Sequence, residues 1–154
     1  DSGDLYPLPG PDELSQQDAA ALAQKALTER YGLAASDFER YTLSACLTRG
    51  AAGGGKRPAY WLVELFPNGR LVSPEYSVAF PASRVAGRVF PVRHGVDLLS
   101  DYLAGLEREH GAYESWPREQ KDALLMDWPM LRAAYGDDEG DTRTILRIDQ
   151  DARQ

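Results

Sequence analysis

Cysteine occurs once in this chain, at Cys46, and histidine only twice, at His94 and His110. A single thiol excludes an internal disulfide and a zinc site built from several thiolates of this chain. It leaves the compartment open, because a domain of 154 residues can do without disulfides inside or outside the cell. Basic residues are also scarce: 17 Lys and Arg against 24 Asp and Glu give a formal charge of −7. That balance opposes a sequence-independent grip on nucleic acid or an anionic membrane, both of which need a basic surface. No apolar run approaches the roughly 20 residues that cross a bilayer, so no membrane-spanning segment is expected. No basic-then-apolar leader opens the chain, and its start at Asp1 without a methionine suggests a trimmed parent.

What is present is scaffold. A hydrophobic content of 43% in 154 residues supports one core and would leave two independent cores marginal, so one domain is expected. Residues 1–14, rich in proline and glycine, read as a linker. Ser15 is a helix N-cap with Asp18 as the acidic half of a capping box, and Gly32 supplies the left-handed stop. Between them Ala19, Leu22, Ala23, Ala26, Leu27 and Tyr31 recur at helical spacing. Tyr41, Leu43, Ala45 and Leu47 alternate with polar residues as in a half-buried strand. Tyr60 to Phe66, apolar on both faces, reads as a central strand, and Pro67, Asn68 and Gly69 form a turn. Tyr76, Val78 and Phe80 give a third strand. Val89 to Val92 gives a short fourth that Pro91 confines to an edge.

The period then becomes helical. Val96, Leu99, Tyr102, Leu103 and Leu106 share a face that Gly111 ends. Trp116 and Pro117 open another helix with Ala123, Leu124 and Met126 as its inner side, which Trp128 and Pro129 are expected to break before a short piece from Met130 to Tyr135. The fold class is α+β: an N-terminal helix packed on a three- or four-stranded antiparallel sheet, followed by C-terminal helices. The single domain spans 15–136, with helix and sheet to about residue 93. Residues 137–154 read as an acidic linker or as the start of a further repeat. The second alternative comes from Ile148-Asp149-Gln150-Asp151-Ala152, which echoes the approach to the first helix.

The helix running from Ala20 through Tyr31-Gly32-Leu33, followed by Phe38, Tyr41 and the aromatic strand Tyr60-Trp61-Leu62-Val63, resembles the PepSY-like repeat modules of secreted and envelope-attached bacterial proteins. Trp116 to Ala123 is similar to the helix that trails some of those repeats. The resemblance covers about two thirds of the chain and its motifs are structural. It implies an extracytoplasmic, non-catalytic binding or regulatory module, sometimes directed at peptidases, in which neighbouring repeats can occur; it carries over no catalytic residue. The rival readings are an architectural spacer of a surface array, an inhibitor-like regulator of a secreted peptidase, and a small hydrolase.

Several residues invite chemical readings. Gly50 to Lys56 has phosphate-loop spacing, but Arg57 stands where a magnesium-ligating hydroxyl belongs and Pro58 leads into a strand, so a plain hairpin loop is expected. Cys46 with His94 or His110 could make a thiol–imidazole pair, yet a mid-strand cysteine lacks the helix N-terminus that lowers its pKa. Asp137, Asp138, Glu139 and Asp141 lack EF-hand spacing and read as a solvated linker rather than a calcium site. Glu64 is the carboxylate within the central strand, read as a cross-strand ion-pair member. No metal or cofactor is expected. The candidate binding surface comprises Tyr60, Trp61, Trp116 and Trp128, suited to a protein, peptide or glycan, and the arginines Arg84, Arg88 and Arg93, suited to an anionic group. The strand Tyr76 to Phe80 and the edge near Val89 to Val92 are the expected places for a partner segment to pair.

Overall fold

The computed structural model describes residues 8–49, 58–70, 72–84, 91–135 and 142–153. Helix α1 (Gln16–Tyr31) begins where the Ser15 hydroxyl accepts the Asp18 N–H and ends at Gly32, whose φ of 73° lets its N–H return to the Thr28 carbonyl. A 3-10 turn (Ala35–Arg40) leads into β1 (Tyr41–Thr48). Strands β2 (Tyr60–Pro67), β3 (Tyr76–Pro81) and β4 (Val92–His94) follow, and the four form an antiparallel sheet in sequence order. Helices α2 (Leu99–His110), α3 (Arg118–Tyr135) and α4 (Arg143–Ala152) complete the α+β fold.

Side-chain alternation on the strands distributes the sheet between two layers of helix. Ala45, Leu47, Trp61, Val63, Leu65, Val78 and Phe80 face α1 and pack on Ala19, Ala23 and Leu27. Tyr60, Leu62 and Ala79 face the other way, against Leu103, Trp128, Leu131, Ile145 and Ile148 of the C-terminal helices. The sheet is therefore a middle layer, which is why β3, paired on both sides, is buried from Tyr76 to Phe80.

Three expectations change. Helix α3 runs unbroken through Trp128 and Pro129. A proline inside a helix costs about 3 kcal/mol through its missing N–H; here Trp128, Met130, Leu131, Ala134 and Tyr135 are all buried around it, and their packing offsets that cost. Of the inner side proposed for this helix only Leu124 is buried, while Ala123 and Met126 are exposed. Val96 precedes α2 and is 76% exposed.

The third change concerns the two ends. The stretch 137–154, expected as a linker or a new repeat, is described from residue 142, and there α4 belongs to this domain. Ile145 and Ile148 lie one turn apart and are buried in the second core. Asp149 accepts from the Trp128 indole N–H at 2.7 Å, and Asp151 from the Tyr113 hydroxyl at 2.8 Å. Acidic side chains that suggest a solvated tail are thus anchors. The expected 1–14 linker is described from residue 8, and from there it is docked: Leu14 bonds to the Ala82 carbonyl, and Glu13 pairs with Arg49 at 2.7 Å. Arg49, and next the Gly10 N–H, hold the Glu13 carboxyl below its usual pKa.

Candidate functional site

The proposed aromatic surface is not a surface. Trp61, Trp116 and Trp128 are buried, and their indole N–H groups donate to the Leu14 carbonyl, the Gly111 carbonyl and Asp149 respectively. Tyr60 is half-buried against the second core. A large ring with one donor is most stable where the ring is dry and the donor satisfied, which sequence cannot distinguish from an exposed platform. The arginines also part company. Arg84 is exposed and pairs with Asp18 at 3.3 Å. Arg93 is 5% exposed and donates to the backbone carbonyls of Gly95, Asp97 and Ala134, over the Tyr135 ring. Arg88 lies outside the described residues, as do the glycine loop from Gly50 to Arg57 and the acidic run from Asp137 to Asp141.

Nor does the structure assemble the thiol pair. Cys46 is exposed on β1 with its Sγ 3.6 Å from the Ser44 hydroxyl. His94 stacks on Tyr76 with ring centroids 4.7 Å apart and has Glu75 3.6 Å from its Nε2. His110 lies beside Glu109 and edge-on to Trp116.

Around His94 a cluster that sequence reasoning missed joins the end of α1 to the sheet. Tyr31 donates to Asp97 at 3.4 Å and packs on Tyr76, while the Tyr41 hydroxyl bonds to Glu75. Burial first, and then the Glu75 bond, push the Tyr41 pKa up to about 12. These phenols stay protonated and act as donors, so the cluster is a tie between elements. Its members come from four separate stretches of the chain, which carry no local signal that they meet.

The chemistry available to a partner lies on the sheet edges. Glu75 donates its N–H to the Leu65 carbonyl, so Leu65, Val63 and Trp61 direct their backbone groups toward β3, and Leu62, Glu64 and Phe66 direct theirs toward β1. On β1 the groups of Thr42, Ser44 and Cys46 therefore pair with β2, and those of Leu43, Ala45 and Leu47 point away from the sheet. Among the described residues their one partner is the Gln16 carboxamide, which donates to the Ala45 carbonyl at 2.9 Å. The opposite edge is short, and its C-terminal end is shut. β4 has three residues, and both outward groups of His94 are taken: its N–H by the Asp97 carboxylate at 3.1 Å, its carbonyl by the Asp97 N–H at 2.9 Å. The fourth strand, expected over Val89 to Val92, shares only Val92 with β4: Pro91 lies just before it, with its carbonyl accepting from Ala79, and Val89 lies outside the described residues. The strand Tyr76 to Phe80, expected as a pairing surface, is interior.

Two further features flank β1. On the α1 side, a groove of about 670 Å³ runs between the flank of α1 at Lys25 and Thr28 and the turn that enters β1, with Leu33, Ala35 and Phe38 as apolar lining and Glu39 at its rim. On the other side, the in-register row Ser44, Glu64, Ser77, Arg93 crosses the sheet from the open edge inward. Glu64 is half-buried, and burial raises its carboxyl pKa. Among the described residues it has neither a hydrogen bond nor an ion pair, so the expected cross-strand pair is not formed.

No helix among the described residues is long and apolar enough to cross a membrane, and none of their His, Cys, Asp and Glu side chains group as a metal site. No family model, curated protein or solved structure matches this chain, so the PepSY-like resemblance rests on its own residues.

Proposed function

We propose that this domain is a non-catalytic, extracytoplasmic binding module of PepSY-like kind, which takes an extended segment of a partner protein as a fifth strand along β1. The observation that carries the reading is the open edge of an eight-residue strand, whose opposite counterpart has three residues with both outward groups of His94 taken. Natural proteins cover, shorten or charge such an edge, because it pairs with other chains; among the described residues the one partner of its outward backbone groups is the Gln16 side chain. Strand addition draws affinity from main-chain bonds and selectivity from alternate side chains. Those turned toward α1 have the groove beside the entry to β1, and those turned away meet Ser44 and Cys46. A secreted peptidase or its substrate is one partner class that the resemblance suggests.

The test is selection from a displayed library of extended peptides, followed by hydrogen exchange on the complex. Selected peptides should protect the Leu43, Ala45 and Leu47 amides and leave α2 to α4 unchanged. Protection centred elsewhere, or no enrichment over an unrelated domain, would defeat the reading. In the second case the spacer role is left.

A further inference from the structure

We infer that the segment accepted along β1 carries a basic side chain at the position facing Ser44, and that Glu64 receives it. This rests on the strand-addition reading and adds the chemistry of the partner. Because Leu43 and Ala45 offer their backbone groups to the newcomer, an antiparallel strand meets Ser44 in a pair without mutual hydrogen bonds, where side chains come closest. The side chain there lies on the same face as Ser44 and Glu64, which are direct partners across β1 and β2. Glu64 is thus two strand spacings from the new residue, about 10 Å between Cα atoms. Serine is small enough for a lysine or arginine stem to lie over it, and the two extended side chains together close that gap.

The charge is complementary and waiting. Glu64 is a half-buried carboxylate without a hydrogen-bond or ion-pair partner among the described residues, and burial raises its pKa. Inward of it Ser77 is buried, and Arg93 is committed to backbone carbonyls and Tyr135. The open way to Glu64 is over Ser44 and the exposed Cys46 and Thr42, from the β1 edge. The chain's net charge of −7 favours encounter with a basic segment.

The experiment uses an acetylated and amidated heptapeptide of alternating valine and threonine with a central lysine, and its twin with norleucine. Binding is read by fluorescence anisotropy against the intact domain and against Glu64→Gln, which keeps the side-chain shape. The lysine peptide should bind about tenfold more tightly, as for a charge-assisted bond in a partly dry site, and lose that margin with Glu64→Gln or in high salt. Norleucine binding should not change with the substitution. Equal binding of both peptides, indifferent to Glu64→Gln, overturns this inference and leaves strand addition standing. Binding that survives N-methylation of the peptide amides facing β1, or no binding by either peptide, overturns strand addition and this inference with it. A mass that doubles with concentration, with the β1 amides protected in the free protein, would put a second copy on the edge and overturn both.

Discussion

Replacing Ile148 with alanine separates a packed α4 from a tail. Ile148 has no exposed surface and lies in the core built on Trp128 and Leu131. The substitution removes three buried carbons, about 2.4 kcal/mol of transfer free energy at roughly 0.8 kcal/mol for each. The cavity left behind raises the cost to about 3 kcal/mol, because α4 is fixed by Asp149 and Asp151 and cannot settle freely into the space. With a urea dependence of about 2 kcal/mol per molar, the unfolding midpoint should fall by about 1.5 M at unchanged slope. Leu146, 54% exposed on the same helix, is the control, and its alanine variant should shift stability by less than about 0.5 kcal/mol. Equal and negligible shifts for both would mean that α4 does not pack here and that the linker reading of 137–154 holds.

Trp128→Phe keeps most of the ring but takes the indole donor from Asp149, so chemical denaturation should show a loss of about 1–3 kcal/mol; a double-mutant cycle with Asp149→Asn giving no coupling would refute that bond. Glu64→Gln should raise the melting temperature of the free domain at pH 7. The native carboxyl pKa is raised, so wild-type stability recovers as pH falls through it, and the advantage of the variant should vanish below the ordinary carboxylate range; an advantage independent of pH would show that charge is not the cause. Gln16→Ala frees the Ala45 carbonyl and should tighten edge-pairing peptides while changing stability by less than about 0.5 kcal/mol. Unchanged or weaker peptide affinity would mean that pairing does not use that carbonyl.

What could be read from the sequence was what is decided locally. Ser15 and Gly32 bracket α1 because caps act within a few residues, and the alternation over Tyr41 to Leu47 is a period of two visible in the chain itself. Pro129 misled because its cost is local and its compensation is tertiary. The tryptophans misled because an indole looks the same in sequence whether it is exposed or its N–H donates to Leu14, Gly111 or Asp149. The open edge was hidden for a different reason: strand order decides which strand is outermost, and β1 carries no mark that β2 will pair on one side of it alone. Glu64 was noticed as an intrastrand carboxylate, but its lack of a partner depends on Ser44 and Ser77 being its neighbours, which only the register reveals.

The asymmetry of the two edges has a consequence for stoichiometry. A sheet that can be extended at both ends templates its own continuation, since each copy added offers a fresh end, and the product is a fibre. Here the other end is a three-residue strand whose His94 groups are taken by the Asp97 turn, which leaves little length for a further strand and favours a single event at β1: one guest strand, or one twin copy meeting it edge to edge. A domain built this way can leave a long strand uncovered and still yield a finite complex.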